Sequence, residues 1–283
     1  MSAQGVTQTG SEDGYRPSPR PVFNEPTRIS RSEVTRHVWG DLDAGEVMDW
    51  IIVSSAHIHC LIFGLPPGGR FAHSNSHRTV FAAHEILFVL QGTLALANPE
   101  SGEVVRACPG EAVTFGPDTW HHAFAQGGEE LRVLELFAPP PSAGTSGAYA
   151  RAQPYLPPQD WRYDGGVGET STLTRVRVEN ATWRRDLGVL VGVLLDTDEL
   201  TAGVMEVQPG ERSQPHAYEG DLVVYVTDGA LTLRSRTPEG RQTVLELEAG
   251  DAGYVPRGEH IDVSCYGGTV AQAFFGVAPG YLA

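Results

Sequence analysis

Short apolar runs separated by glycine- and proline-rich turns recur along most of this chain. The runs are rich in Val, Ile, Leu and Phe, and several alternate apolar with polar positions, as β-strands do. In the first half they cover residues 51–55, 57–65, 86–90, 93–97, 103–107, 112–115 and 131–137. Because nearly every element is a short strand between turns, we expect an all-β fold of the sandwich or barrel type, with little helix.

The strand pattern occurs twice. Four landmarks of the first half return in the same order roughly 140 residues later, which indicates an internal duplication. They are Pro67-Gly68 and Pro209-Gly210, Gly92 and Gly229, Pro99-Glu100 and Pro238-Glu239, and Gly110 and Gly250. The distance along the chain from the Pro-Gly turn to the glycine that ends the strand is about five residues longer in the first copy than in the second. The additional residues lie within a histidine-rich stretch.

Composition divides the chain into four parts. Residues 1–27 are low in bulky apolar side chains and predict a disordered N-terminal tail. Residues 28–140 and 165–283 form the two predicted barrels. Residues 141–164 are rich in proline, glycine and serine and predict a linker.

Charge and composition exclude several functional classes. The net charge of −15 opposes binding to nucleic acids and to anionic membranes. The chain contains no lysine, which excludes Schiff-base catalysis and a P-loop NTPase of the usual kind. No run is apolar enough for a membrane span or a secretory signal, and the three cysteines are widely spaced. We therefore expect a reduced cytoplasmic protein that binds neither nucleic acid nor membrane.

Candidate chemistry is concentrated in residues 67–92 and 110–124. The first stretch contains His73, His77, His84 and Glu85, and the second contains His121 and His122. Imidazole and carboxylate groups that point into one barrel form a typical site for a divalent metal. If Glu85 points inward, strand alternation also directs Leu87 and Val89 inward and His84 outward.

These stretches resemble the two sequence motifs of the cupin superfamily. Glu85, six residues and Gly92 fit the second half of the first motif, G(X)5HXH(X)3–4E(X)6G. Gly110 and His121 fit the ends of the second motif, G(X)5PXG(X)2H(X)3N, although Gly116, Asp118 and Ala125 replace its Pro, Gly and Asn. The resemblance covers both halves. It implies a bicupin, a protein with two tandem jelly-roll β-barrels. The cupins that the chain resembles include metal-dependent dioxygenases.

The resemblance implies one divalent metal held by three histidines and a glutamate. Thr79 and Phe81 stand where the HXH pair belongs, and neither supplies an imidazole. We therefore predict the ligand set His73, His77, Glu85 and His121, with His84 or His122 as open replacements for His77. Fe(II) is the favoured metal, with Mn and Zn as alternatives. Arg70 and Arg78 flank the site and are candidate catalytic residues that would orient a substrate carboxylate.

The second copy departs further from the motifs. His216 fits the first of them, but Tyr218 and Leu222 replace its second histidine and its glutamate. His260 lies one residue before the ligand position of the second motif. Three interpretations remain open for this half: a metal site formed by His216, Glu219 and His260, a purely structural barrel, or a pocket that binds a ligand without metal.

The leading functional hypothesis is a metal-dependent bicupin oxygenase that acts on a small organic acid or an aromatic or enolic compound. Two alternatives are a metal-dependent isomerase, lyase or hydrolase that acts on a sugar acid or similar small molecule, and a non-catalytic small-molecule-binding protein. Fold alone cannot choose among them. Pairing of open edge strands predicts a homodimer, unless the second copy already covers those surfaces.

Overall fold

The structure, a computed structural model, describes residues 18–74, 77–140, 152–153, 156 and 171–281. Within these ranges the chain forms 22 β-strands and a short 3₁₀ helix at Val178–Asn180. The predicted all-β fold is therefore confirmed. Residues 1–17 of the predicted tail and residues 141–151, 154–155 and 157–164 of the predicted linker lie outside the described ranges.

The strands of the first half follow one another with short connections. They are β1 (Thr27–Ile29), β2 (Thr35–Asp41), β3 (Gly45–Ser54), β4 (His59–Leu65), β5 (Arg70–Phe71), β6 (His84–Gln91), β7 (Thr93–Asn98), β8 (Glu103–Ala107), β9 (Glu111–Phe115), β10 (His122–Gln126) and β11 (Leu131–Ala138).

The second half repeats this order. Its strands are β12 (Thr174–Arg177), β13 (Thr182–Asp186), β14 (Val189–Asp196), β15 (Thr201–Val207), β16 (His216–Ala217), β17 (Asp221–Asp228), β18 (Ala230–Arg236), β19 (Gln242–Glu248), β20 (Ala252–Val255), β21 (His260–Ser264) and β22 (Ala271–Ala278).

Each half forms a barrel from one seven-stranded and one four-stranded antiparallel sheet. The sheets of the first barrel have the orders β12-β9-β6-β11-β4-β3-β2 and β5-β10-β7-β8. Those of the second have the orders β1-β20-β17-β22-β15-β14-β13 and β16-β21-β18-β19. The two orders match strand for strand, so the duplication seen in the sequence extends to the sheet topology.

Each barrel is completed by a strand from the other half of the chain. β1 pairs with β20 of the second barrel, with Arg28 opposite Gly253. β12 pairs with β9 of the first barrel, with Val176 opposite Ala112. The structural boundary between the barrels therefore differs from the sequence boundaries 28–140 and 165–283 by these two exchanged strands.

Residues 18–26, which we expected to belong to a disordered tail, contact both barrels. The Arg20 guanidinium donates a 3.0 Å hydrogen bond to the Ser54 hydroxyl, and the Ser54 amide donates to the Pro21 carbonyl at 2.7 Å. The Phe23 ring lies 6.1 Å from the ring of Tyr254 in the second barrel. This part of the predicted tail is therefore packed against the folded protein.

The two seven-stranded sheets pack face to face and bury a third apolar core between the barrels. The rings of Phe88 and Phe274 lie 4.7 Å apart across this interface. Leu136 packs against Gly276, where an added Cβ would lie only 2.5 Å from the leucine Cδ1. The second barrel thus covers the outer face of the sheet that carries Glu85. The homodimer stays a prediction.

Paired glycines explain why the two halves match at the ends of β6 and β17. Gly92 and Gly229 have φ angles of 76° and 72°, in the left-handed region that favours glycine. A Cβ at Gly92 would lie 2.6 Å from the Glu130 carbonyl oxygen, and one at Gly229 would lie 2.8 Å from that of Val270. Any other residue would clash with backbone in both copies.

The described residues include no helix with the length and hydrophobicity needed to cross a membrane. All three cysteines are free, and burial raises the pKa of the Cys60 thiol beyond its usual range.

Candidate metal centre of the first barrel

Three buried side chains converge inside the first barrel. Glu85, His121 and Glu135 each offer one ligand atom, and these atoms all lie within 4.8 Å of one another. The side chains are 1%, 2% and 5% exposed. Among the described residues they form the group of histidine, cysteine and acidic side chains that could hold a metal ion.

Strand register places the two glutamates. Glu85 opens the inward face of β6 and is followed on that face by Leu87 and Val89, both in the barrel core. On the adjacent strand β11, Phe137 pairs with Glu85, and Glu135 pairs with Leu87. The two carboxyl groups are therefore diagonal neighbours on one face of the sheet, a separation that long side chains can bridge.

His121 reaches the same point from the other sheet. It lies directly before β10, and its backbone amide donates a 3.0 Å hydrogen bond to the Thr79 carbonyl. Its ring Nδ1 lies 3.3 Å from the Thr119 carbonyl oxygen. A proton on Nδ1 satisfies that contact and leaves Nε2, 3.9 Å from Oε2 of Glu85, available as a ligand atom.

Burial dominates the electrostatics of the centre. It raises the pKa of Glu85 well above the usual value, and the charge of Glu135 raises it further. Burial likewise raises the pKa of Glu135, with a further contribution from Asp49, whose own pKa is raised by burial to about 8. The pKa of His121 is lowered by burial to about 4. Burial thus favours the protonated form of these acids unless a cation replaces the proton.

Phenylalanine rings keep the centre dry. Those of Phe71, Phe81 and Phe115 lie 5.8, 5.8 and 4.8 Å from the His121 ring. Phe137 contacts Phe81 edge to face at 5.4 Å. Phe81 occupies the position of the second motif histidine and is only partly buried. It is therefore the part of this wall nearest to solvent.

The residues present fit a divalent metal. Oε2 of Glu85 and Oγ1 of Thr79 are buried without a hydrogen-bond partner among the described residues, which is costly unless another group satisfies them. The 3.9 Å between Glu85 and His121 is within the roughly 4.2 Å that two ligands at about 2.1 Å from one metal can span. Two carboxylates and one imidazole suit Mn²⁺ or Fe²⁺.

The predicted ligands His73 and His77 do not join this group. Nδ1 of His73 lies 2.7 Å from Nε2 of His122, and Nδ1 of His77 lies 3.3 Å from the Asp41 carboxylate. Both histidines follow the end of β5, where the chain has left the sheet. Glu85 and His121 of the predicted set thus come together with Glu135, while His73 and His77 lie outside this group. The four-residue ligand set His73, His77, Glu85 and His121 stays a prediction.

The open replacements are placed elsewhere as well. His84 precedes Glu85 on β6, so strand alternation puts it on the opposite face. His122 follows His121 and hydrogen-bonds to His73. Burial first, and then the neighbouring charges, lower the pKa of His122 to about 3. Neither residue belongs to the group around Glu85.

The two predicted catalytic arginines lie near the His73–His122 pair. The positive charge of Arg70 contributes to the lowered pKa of His122, after larger effects of burial and the two neighbouring histidines. Arg70 is exposed on β5. Arg78 donates a 2.6 Å hydrogen bond to the Gln153 carbonyl. Arg70 is therefore the better placed of the two to meet an incoming anion.

Reasoning from the sequence missed Glu135 and Asp49. Glu135 lies between Val133 and Phe137 on the inward face of β11, and Asp49 lies between Val47 and Ile51 on that of β3. The sequence did contain a signal for both residues, because each is an acidic residue at an inward position of an otherwise apolar strand.

The second barrel lacks an equivalent group among its described residues. Leu222 takes the place of Glu85 and packs in the core, while Glu219 and His260 are exposed. In the part of the chain that the structure describes, His216, Glu219 and His260 do not come together as a metal-binding group. The hypothesis of a metal site in this half is therefore not supported.

Comparison with known proteins agrees with this architecture. Residues 61–137, which contain Glu85, His121 and Glu135, match the Cupin domain family. The first barrel is a cupin domain. Since the second barrel repeats its topology, the whole chain has a bicupin fold. No curated protein matches the sequence.

Solved bicupin structures cover nearly the whole chain. A serine-to-alanine mutant of Bacillus subtilis oxalate decarboxylase superimposes with a TM-score of 0.67 at 14% identity, covering 94% of this chain and 81% of that protein. The formate complex of Lactobacillus farciminis oxalate decarboxylase gives a TM-score of 0.65 at 14% identity, covering 93% and 88%. A B. subtilis oxalate decarboxylase studied for its Mn(II) centres gives 0.65 at 14%, covering 94% and 81%. At this identity the likeness shows the fold.

Proposed function

We propose that this bicupin is a metal-dependent enzyme whose reaction centre is formed by Glu85, His121 and Glu135. The observation that carries the proposal is the buried Oε2 of Glu85, which has no hydrogen-bond partner among the described residues and lies 3.9 Å from the imidazole of His121. A divalent cation would satisfy this oxygen and neutralise two buried carboxylates at once.

Mn²⁺ and Fe²⁺ are the metals that the ligands favour. Carboxylate oxygens predominate over imidazole in the proposed set, and such sets suit these ions better than softer metals. The Mn(II) centres of a structural neighbour support the choice. When bound, either ion would polarise a substrate oxygen and supply one-electron chemistry. We therefore propose Mn(II) as well as Fe(II), the metal that we favoured from the sequence.

The substrate that we propose is a small organic acid. Arg70, which is exposed on β5 and near His122, would attract its carboxylate, because a guanidinium binds a carboxylate through two parallel hydrogen bonds. Phe81 would have to turn aside to admit the substrate to Glu85, and Phe115 and Phe137 would exclude water around it. The centre is too enclosed for a polymer, which limits the substrate to a small molecule.

Oxygenation is the leading reaction class, and decarboxylation is the second. Three protein ligands would leave room for both a substrate and O₂, and the phenylalanine wall would protect an oxidative reaction from water. The fold likeness to oxalate decarboxylases favours the second candidate. Oxygen uptake and CO₂ release, measured in parallel on a panel of small organic acids, distinguish the two.

Elemental analysis of protein purified without added metal tests the centre. We expect close to one Mn or Fe per wild-type chain, the same content in His73→Ala and His77→Ala, and loss of metal in Glu85→Gln and Glu135→Gln. Glu129→Gln, a surface glutamate before β11, is the matched control and should retain the metal. Thermal unfolding curves check that each variant is folded.

Two results would contradict the proposal. One is wild-type protein without stoichiometric metal, even after refolding with Mn²⁺ or Fe²⁺. The other is metal that persists in both glutamine variants but disappears in His73→Ala, which would place the site at His73.

A further inference from the structure

A cleft lies between the two barrels, beside the exchanged strand β1. Trp50 and Arg132 line it from the first barrel, and Arg31 and Tyr225 line it from the side of the second. The centre of a water molecule can move through about 50 Å³ of this space, which is partly open to solvent. At roughly 10–15 Å³ for each water, the cleft has room for about four waters, or for an organic molecule of about five heavy atoms.

Trp50 and Arg132 form one wall of the cleft. The Trp50 ring lies across Gly64, where an added Cβ would be only 2.7 Å from Cζ3 of the ring. The Arg132 guanidinium lies 5.0 Å from the centre of this ring, within the range of a cation–π interaction. Its Nε and Nη2 donate to the Glu130 carboxylate at 3.2 and 3.4 Å. These two bonds leave the hydrogens of Nη1 for a further acceptor.

Tyr225 and Arg31 add donors from the opposite wall. Burial raises the pKa of Tyr225, and the charges of Arg31 and Arg132 act against this rise, so both guanidiniums lie near the phenol hydroxyl. Arg31 is exposed and forms no ion pair among the described residues. Two guanidiniums and a hydroxyl therefore surround one small space, and all three can donate hydrogen bonds to an anion.

The acids beside the cleft already have partners. The Asp251 carboxylate lies 2.7 Å from Nη2 of Arg28, and the Glu130 carboxylate accepts from Arg132. An anion would therefore meet positive charge that these acids do not fully neutralise. The remaining walls are aliphatic and are formed by Ile29, Val34, Ile52 and Ile62. Such walls suit the apolar end of a small molecule.

The duplication provides a comparison within the same chain. Tyr225 pairs with Ala252 on the adjacent strand as Phe88 pairs with Ala112 in the first barrel, so the two positions are equivalent. By the same strand register, the other copy has uncharged side chains at the three donor positions: Phe88 for Tyr225, Val178 for Arg31 and Gln272 for Arg132. The packing of one barrel on the other therefore does not require the donors.

We propose that the cleft between the barrels binds a small monocarboxylate with a short aliphatic tail. Its carboxylate would accept hydrogen bonds from Arg31, Arg132 and Tyr225, and its tail would contact Ile52 and Ile62. The cleft lies on the outer face of the sheet whose inner face carries Glu85. The site is therefore separate from the metal centre and stands whether or not that centre is catalytic.

Ligand-observed NMR titrations of the full chain with propionate test the proposal. We expect saturable binding of propionate and binding of propionamide, its neutral analogue, that is at least about tenfold weaker. Formate, which lacks the tail, should bind roughly fivefold more weakly than propionate. Inorganic phosphate, measured by its displacement of propionate, should also bind more weakly than propionate does.

Variants locate the binding site. Arg31→Gln and Arg132→Gln should each weaken propionate binding roughly five- to tenfold, and Tyr225→Phe should weaken it roughly threefold. Arg236→Gln changes an exposed arginine in the four-stranded sheet of the second barrel and should bind propionate like the wild type. Glu85→Gln, in which the proposed metal centre is disabled, should retain the affinity for propionate.

Several results would overturn the proposal. One is wild-type protein that does not bind propionate, and another is equal affinity for propionate and propionamide. Binding that disappears in Glu85→Gln but is unchanged in the arginine variants would place propionate at the metal centre instead. Phosphate that binds more tightly than propionate would exclude a site selective for carboxylates. Should Arg132→Gln not fold, Arg31→Gln and Tyr225→Phe carry the same comparison.

Discussion

Asp49 allows the sharpest test of the buried acids in the first barrel. It lies on the inward face of β3, is 5% exposed, and has a pKa of about 8 caused mainly by burial and partly offset by a hydrogen bond from Trp39. In the unfolded chain the carboxyl titrates near its ordinary pKa of about 3.9. Asp49→Asn keeps the size and polarity of the side chain but removes the titration.

The sign and size of the effect follow from proton linkage. Between about pH 4 and pH 8 the folded state holds a proton on Asp49 that the unfolded state has released, so the free energy of unfolding falls as pH rises. One proton corresponds to about 1.4 kcal/mol per pH unit. The wild type should therefore lose about 3 kcal/mol more stability between pH 5 and pH 7 than Asp49→Asn does.

Urea unfolding of chelator-treated protein at both pH values, followed by tryptophan fluorescence, measures this difference. Glu85 and Glu135 titrate in both proteins. Because Asp49 also raises the pKa of Glu135, the comparison reports the titration of Asp49 together with its effect on Glu135. Asp198→Asn, a change of an exposed aspartate, should leave the wild-type pH dependence intact. If wild type and Asp49→Asn lose equal free energy over this range, Asp49 does not carry a raised pKa and the reasoning fails.

Two further predictions concern the joining of the barrels. Leu136→Ala opens a cavity between the two seven-stranded sheets and should lower the unfolding free energy by about 2–5 kcal/mol. Leu42→Ala, a change of an exposed leucine, is the control and should change it little. A decrease below about 1 kcal/mol in urea unfolding of Leu136→Ala would contradict this packing. Glu103 accepts hydrogen bonds from Ser171 and Thr172 and so fastens the segment before β12 to the first barrel. Glu103→Gln should speed tryptic cleavage after Arg175 and Arg177, whereas exposed Glu100→Gln should not; equal digestion of the three proteins would refute this anchoring role.

Local patterns in the sequence sufficed for the strands and for two residues of the candidate metal group, Glu85 and His121. Alternation along residues 85–90 correctly predicted that Glu85, Leu87 and Val89 share the inward face of β6. This works because successive side chains of a strand point to opposite faces whatever the strand's neighbours are. The repeated glycine turns revealed the duplication for a similar reason, since left-handed backbone at Gly92 and Gly229 is a local requirement.

The composition of the site depended on pairing between distant segments. Glu135 joins Glu85 only because β11 lies beside β6 in a given register, and no local pattern specifies that pairing. His73 and His77 have the right chemistry, but they lie beyond the end of β5 and contact His122 and Asp41 instead.

The sequence by itself therefore determined the all-β fold, its duplication and the inward position of Glu85, all properties of short stretches of chain. The tertiary structure decided the partners of Glu85 and the exchange of β1 and β12 between the barrels. These depend on which strands become neighbours, and that choice is made by the burial of apolar faces across the whole molecule.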